Sequence, residues 1–154
     1  MQKQQNLQKL LHIKEVLSGA IEKRREEIIG LAQSLVRIPS ENIPPGGNES
    51  ACQRFICNFF AEHGIESRLI DLTSISELSR HEAYYPGRDY TGRPNVNAMY
   101  PGSWSGRSLL FSGHIDTMPV GDDKWSYPPF GADISNGKLY GRGAYDMKGG
   151  LAAM

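Results

Sequence analysis

Hydrophobic residues recur at helical spacing through most of the first 36 positions of the chain. Leucines and isoleucines three or four residues apart predict a helix from about Gln4 to Val36. Gly19 lies inside this region and is expected to divide the helix into two pieces. Pro39 marks its end, because a residue that precedes proline avoids the helical conformation.

Further along the chain, a broad apolar face and several short apolar runs predict another helix and a set of strands. The apolar face, formed by Phe55, Ile56, Phe59 and Phe60, predicts a helix that stops at Gly64. Strands are predicted at residues 65–72, 93–100, 108–112 and 134–140, and a turn at 101–106. The run at 108–112 is continuous and apolar, so a buried strand is expected there.

The last predicted strand region contains Asn136–Gly137 between strand-like residues, which is typical of a β-hairpin. Helices and strands therefore alternate along the chain, and this order predicts an α/β fold in which helices flank a mixed sheet. Ligands of such sheets lie beyond the strand ends. Residues that follow the strand at 108–112 are therefore candidates for a functional site.

Composition and charge restrict the function classes. The chain has 154 residues, with 17 basic and 17 acidic side chains. This balance argues against a nucleic-acid or anionic-membrane surface, where an excess of basic residues is expected. No run approaches the roughly 20 apolar residues of a membrane span. Cys52 and Cys57 are interpreted as free thiols, which predicts a reducing, cytoplasmic location.

The candidate chemistry begins at His114-Ile115-Asp116, directly after the predicted strand. Residues i and i+2 of an extended segment point to the same face, so the imidazole and the carboxylate can reach one site while Ile115 packs on the other side. His114 is then a candidate metal ligand and Asp116 a supporting acid, because metal-bound histidines often donate their second ring N–H to a carboxylate. The alternative is that both residues simply cap the end of a strand.

A second candidate, Asp146, stands in a glycine-rich segment that leads into a predicted helix. Its two carboxylate oxygens could bridge two divalent cations. Aspartate is also a favoured helix N-cap, and taken singly Asp146 fits that structural role better than the role of a metal bridge.

Together these segments resemble one family, the dizinc hydrolases that include aminoacylases, glutamate carboxypeptidases, acetylornithine deacetylase and succinyl-diaminopimelate desuccinylase. The resemblance is carried by Ser112–Gly121, by Trp125 with Pro129–Phe130, and by Gly137–Gly150. It implies a zinc-exopeptidase-like catalytic domain. It also implies that His114 binds one zinc, that Asp146 bridges both zincs, and that Asp116 orients His114 as a catalytic residue. A cis peptide bond at Asp146–Met147 is expected as well.

The resemblance further implies a function and a division of the chain. The expected activity is hydrolysis of an amide bond in N-acyl amino acids or short peptides, with two Zn²⁺ per complete site and Co²⁺ as a possible substitute. Residues 28–154 are expected to be the N-terminal portion of the catalytic domain, and residues 1–27 a helical extension. The lid domain and the C-terminal half would be absent, so the chain alone is expected to be inactive. The complete protein could be a homodimer.

Two alternatives stay open at this point. One is a non-catalytic interaction or regulatory module derived from such an enzyme, and the other is a non-functional truncation product. The expected binding partner is a small-molecule substrate. Binding to nucleic acid or to a membrane is not expected.

Overall fold

Helices and two small antiparallel sheets form this computed structural model, which describes residues 2–103 and 105–154. The helices are α1 (Gln2–Lys23), α2 (Arg25–Arg37), α3 (Ser50–Glu62) and α4 (Gly149–Ala153), with short 3-10 helices at Leu72–Ser74 and Leu78–Arg80. The strands are β1 (Glu66–Ile70), β2 (Asn95–Met99), β3 (Asp133–Ser135) and β4 (Lys138–Tyr140). The turn predicted at 101–106 includes position 104, which lies outside the described residues.

The first helical region is divided at Arg24 and not at Gly19, so the predicted break was wrong. Helix α1 continues through Gly19 to Lys23, and Arg24 leaves the helical conformation with φ −104° and ψ 9°. A single glycine costs a helix only about 1 kcal/mol relative to alanine, which good helix formers on both sides can offset. The end of α2 is as predicted, since Ile38, just before Pro39, is extended with φ −94° and ψ 110°.

The apolar run at 108–112 is neither a strand nor buried, which corrects the prediction for this segment. Leu109, Leu110 and Phe111 are 77%, 87% and 60% exposed, respectively. A strand requires a hydrogen-bonded neighbour, and no strand within residues 2–103 and 105–154 pairs with this run. Its residues are typical of a buried strand, but a strand also needs a neighbouring strand to pair with, which local composition does not reveal.

Both sheets are two-stranded and antiparallel. Strands β1 and β2 pair over their whole length, from Glu66 opposite Met99 to Ile70 opposite Asn95. Strands β3 and β4 are joined by Asn136 and Gly137, whose φ angles are 50° and 70°. Two successive positive φ angles define the type I′ turn that the Asn-Gly pair predicts. The α/β class is therefore confirmed, and the described strands form two separate two-stranded sheets.

The core lies between α2, α3, α4 and the segment that contains Ile115. Its most buried members are Ala32, Leu35, Cys52, Ile115 and Ala152. Phe55 and Ile56 pack against this cluster, as the apolar face of α3 predicts. Within the described ranges, no helix is both long enough and apolar enough to cross a membrane.

Candidate metal centre

Hydrogen bonds attach the segment that carries His114 and Asp116 to the residues that follow α2. The amide of Thr117 donates to the Ser40 carbonyl at 2.9 Å, and the amide of Asn42 donates to the Thr117 carbonyl at 2.8 Å. The Ser40 hydroxyl donates to the Ile115 carbonyl at 2.6 Å. Ile115 is only 5% exposed, so it packs into the core as its position between His114 and Asp116 predicts.

His114 and Asp116 contact each other directly. The Nδ1 atom of His114 is 3.0 Å from Asp116 Oδ1 and 3.2 Å from the Asp116 backbone carbonyl. Both of these oxygens accept hydrogen bonds when the carboxyl is ionised, so this contact favours a proton on Nδ1. The other carboxylate oxygen of Asp116, Oδ2, accepts a hydrogen bond from Asn42 Nδ2 at 3.1 Å.

Asp146 reaches the opposite side of the same imidazole, although 32 residues separate it from His114. Its Oδ1 lies 3.0 Å from His114 Nε2. Asp146 has non-helical torsion angles, φ −125° and ψ 99°, inside a turn that spans Ala144–Lys148. The peptide bond between Asp146 and Met147 is cis, which agrees with the sequence-based expectation.

The alternative role of Asp146 as a helix cap is not seen. Helix α4 begins at Gly149, its N-cap position is Lys148, and no side chain caps it by a hydrogen bond. The carboxylate is instead 75% exposed and directed at His114. The strand-cap alternative for His114 and Asp116 fails as well, since no strand ends there.

Lys148 ties the Asp146 turn to the end of α2. Its Nζ donates to the carbonyl oxygens of Leu35 at 2.9 Å and Ile38 at 2.7 Å, and the residue is fully buried. Burial lowers the pKa of this lysine. The turn that carries Asp146 is therefore attached to the same helix whose continuation holds the His114 segment.

The exposure and electrostatics of the three side chains suit ligand binding from solvent. The side chains of His114 and Asp116 are 48% and 38% exposed. Partial burial is the largest single influence on the His114 pKa and lowers it, but hydrogen bonds and charges from Asp116 and then Asp146 outweigh it, so the pKa is raised. Both carboxylates therefore favour the protonated form of the imidazole.

The pair formed by His114 Nε2 and Asp146 Oδ1 fits two ligands of one metal ion. Zinc binds imidazole nitrogen and carboxylate oxygen at about 2.0–2.2 Å, so two ligands of a tetrahedral ion lie about 3.3 Å apart. The separation of 3.0 Å is close to that value. The second ring nitrogen donates to a carboxylate, as in many metal-bound histidines.

These two residues alone do not complete a metal site. Among the described residues, no group of three or more histidine, cysteine, aspartate or glutamate side chains could hold a metal ion. A catalytic zinc uses about three protein ligands, and both Asp116 oxygens are already committed to His114 and Asn42.

Comparison with known proteins identifies the family to which this segment is similar. Peptidase family M20/M25/M40 matches residues 110–154, the stretch that contains His114, Asp116 and Asp146. This chain belongs to peptidase family M20/M25/M40. The resemblance found in the sequence is thereby confirmed.

The chain is similar to several bacterial M20 relatives over only part of their length. It is 35% identical to N-formyl-4-amino-5-aminomethyl-2-methylpyrimidine deformylase of Halalkalibacterium halodurans, over 93% of this chain and 30% of that protein. It is 34% identical to succinyl-diaminopimelate desuccinylase of Blochmanniella floridana, over 83% of this chain and 28% of that protein. A third relative, succinyl-diaminopimelate desuccinylase 2 of a Ruegeria species, is 47% identical over 49% of this chain and 20% of its own length. The chain thus spans less than a third of each relative.

Two residues with structural roles at the site were missed by sequence reasoning. Lys148 belongs to the motif around Asp146, but nothing in its local pattern distinguishes a buried lysine from an exposed one. Asn42 follows the Pro39–Ser40 block by only two residues, and its contact with Asp116 spans 74 positions. Only a three-dimensional arrangement shows this contact.

Proposed function

We propose that this chain supplies part of the zinc centre of a hydrolase that cleaves amide bonds of N-acyl amino acids or short peptides. His114 and Asp146 are the metal ligands, with Asp146 available to bridge two ions, and Asp116 orients His114. The observation that carries the proposal is the 3.0 Å approach of His114 Nε2 to Asp146 Oδ1, with Asp116 on the other ring nitrogen. The names of two relatives, a desuccinylase and a deformylase, both describe removal of an acyl group.

Each of the three side chains has a distinct task in this proposal. Asp116 accepts a hydrogen bond from the Nδ1–H of His114, which leaves the Nε2 lone pair directed at the position a cation would take. Asp146 adds a negative charge on the same side and is exposed enough to meet a cation from solvent. Zinc bound there would polarise the amide carbonyl and lower the pKa of a bound water to about 7.

The proposal also predicts how strongly the chain binds zinc. Two protein ligands are fewer than the three of a catalytic zinc site, so residues 1–154 alone should bind zinc weakly and should not hydrolyse substrate. Tight binding of two zinc ions by this chain, measured by isothermal titration calorimetry, would contradict the proposal.

The activity is tested on the full product of the gene, from its own start codon to its own stop codon. The purified protein, loaded with Zn²⁺ or Co²⁺, is assayed against N-formyl, N-acetyl and N-succinyl amino acids and dipeptides. Release of free amine is expected with at least one class, and His114→Ala and Asp146→Ala should each abolish it. A metal-binding protein that hydrolyses none of these substrates would favour the non-catalytic module instead.

A further inference from the structure

From the Asp116 carboxylate, a row of hydrogen bonds continues through two more side chains. Asn42 Nδ2 donates to Asp116 Oδ2 at 3.1 Å, and Arg88 Nη1 donates to Asn42 Oδ1 at 3.0 Å. The row therefore runs from Arg88 through Asn42 and Asp116 to His114, and each member is hydrogen-bonded to the next. Its first member comes from the segment 73–92, for which the sequence indicated no role.

We infer that Asn42 and Arg88 are positioning residues that fix the Asp116 carboxylate, so that His114 keeps its proton on Nδ1 and presents Nε2 to Asp146. This inference rests on the proposed function only in its last step, the use of Nε2 by a metal ion. The geometry of the row itself is independent of that step.

The chemistry of the four groups allows only one arrangement of the Asn42 amide. Arginine can only donate hydrogen bonds and an ionised aspartate can only accept them. The amide oxygen of Asn42 must therefore face Arg88 and its NH₂ must face Asp116. Asn42 accepts from one neighbour in the row and donates to the other, so its removal separates the arginine from the carboxylate.

The backbone around Asn42 keeps its side chain in place. The Asn42 amide donates to the Thr117 carbonyl at 2.8 Å, directly beside Asp116 in the chain. Arg88 is held by its own neighbourhood, since the amide of Asp89 donates to the Pro45 carbonyl at 2.8 Å and the Arg88 guanidinium lies over the Tyr85 ring, 5.8 Å from its centroid. The side chains of Asn42 and Arg88 therefore extend from backbone segments that are hydrogen-bonded to other parts of the chain.

Fixing Asp116 matters because two carboxylates compete for one neutral imidazole. A neutral histidine has one N–H, which can be donated from Nδ1 to Asp116 or from Nε2 to Asp146. Only the first choice leaves a lone pair on Nε2 for a cation. Asp146 is 75% exposed and well solvated, whereas Asp116 is held by Asn42, so the fixed carboxylate is the stronger competitor for the proton.

The inference is tested by long-range ¹H–¹⁵N NMR of the histidine rings in the ¹⁵N-labelled 154-residue chain, recorded at rising pH until the His114 ring nitrogens no longer shift and the ring is neutral. The spectrum distinguishes the Nδ1–H from the Nε2–H tautomer. The unsubstituted chain should show mainly Nδ1–H at His114. Asn42→Ala should move the population towards Nε2–H by several fold. Arg88→Met should move it in the same direction by less, and Arg88→Lys should restore part of it.

Matched controls separate positioning from general destabilisation. Asn97→Ala and Arg68→Met make the same chemical changes at exposed positions of β2 and β1 and should leave the His114 tautomer unchanged. If Asn42→Ala fails to fold, as judged by circular dichroism, the inference is tested with Arg88→Met, because that substitution alters only the far end of the row. A His114 tautomer that stays Nδ1–H in these variants, or that shifts equally in the controls, would overturn the inference.

A second measurement keeps this inference distinguishable from the proposed function. In the full gene product, Asn42→Ala should weaken zinc binding by about 10–100-fold, the usual effect of losing a group that supports a ligand. A tautomer that shifts while zinc affinity stays constant would leave the positioning role standing and would count against His114 as a ligand. An unchanged tautomer with a working enzyme would remove the positioning role alone.

Discussion

Lys148 donates a hydrogen bond from its buried ammonium group to the carbonyl of Leu35, 113 positions earlier in the chain, at 2.9 Å. The same group donates to the Ile38 carbonyl at 2.7 Å, so it serves two carbonyls at the C-terminal end of α2. The ammonium group thereby links the turn that presents Asp146 to the helix that leads into the His114 neighbourhood.

Lys148→Met should destabilise the chain by about 1–3 kcal/mol, because buried carbonyl groups lose their donor while the apolar stem is retained. The measurement is urea unfolding followed by circular dichroism. Lys138→Met, at an exposed position of β4, is the matched control and should change the free energy of unfolding by less than about 0.5 kcal/mol. Equal effects of the two substitutions would show that the buried contacts contribute nothing.

A buried ion pair joins α3 to the segment before β2. Arg93 Nε donates to Glu49 Oε2 at 2.8 Å, and a second guanidinium N–H donates to the other carboxylate oxygen. The side chains of Arg93 and Glu49 are only 12% and 7% exposed. Glu49→Gln should therefore cost about 3–5 kcal/mol, since it leaves a buried guanidinium without its counter-charge.

The control for this pair is Glu77→Gln, which breaks an exposed ion pair with Arg80. Exposed pairs contribute about 0–1 kcal/mol, so this substitution should hardly change the midpoint of urea unfolding. If Glu49→Gln were as mild as Glu77→Gln, the Arg93–Glu49 pair would not be a stabilising contact between α3 and the chain before β2.

Gly143 precedes the turn that carries Asp146 and has a left-handed φ of 78°. A Cβ atom there would overlap the Thr117 side chain, next to Asp116. Gly143→Ala should destabilise the chain by at least about 1–2 kcal/mol from the backbone conformation alone. Gly30→Ala, in helix α2 with open space around the added methyl, should instead stabilise it by about 0.5–1 kcal/mol. Thermal unfolding of the two variants compares these opposite shifts, and a stabilising Gly143→Ala would contradict this description of the turn.

The sequence predicted those parts of the fold that local chemistry determines. The β3–β4 hairpin follows from Asn136–Gly137, because few other residue pairs accept two positive φ angles in succession. The end of α2 follows from Pro39 in the same way. The strand expected at 108–112 was wrong because pairing depends on a neighbour that a local pattern does not contain.

The sequence predicted the three candidate site residues but not the residues that hold them in place. The spacing of His114 and Asp116 and the motif around Asp146 named three side chains that the structure places beside one another. Asn42, Arg88 and Lys148 act through one or two side-chain hydrogen bonds to residues far away in the sequence, and their residue types are common at protein surfaces. Nothing in hydrophobic periodicity marks such residues.

The central claim, that His114 and Asp146 bind the same cation, is tested most directly by titrating Co²⁺ into the ¹⁵N-labelled chain and following its NMR spectrum. Paramagnetic broadening reports even weak binding and identifies the residues nearest the ion. The His114 ring and the Asp146 amide should broaden together, at lower cobalt concentration than His12, His63 or His81. Broadening that starts at another histidine, or that reaches only one of the two residues, would contradict the claim.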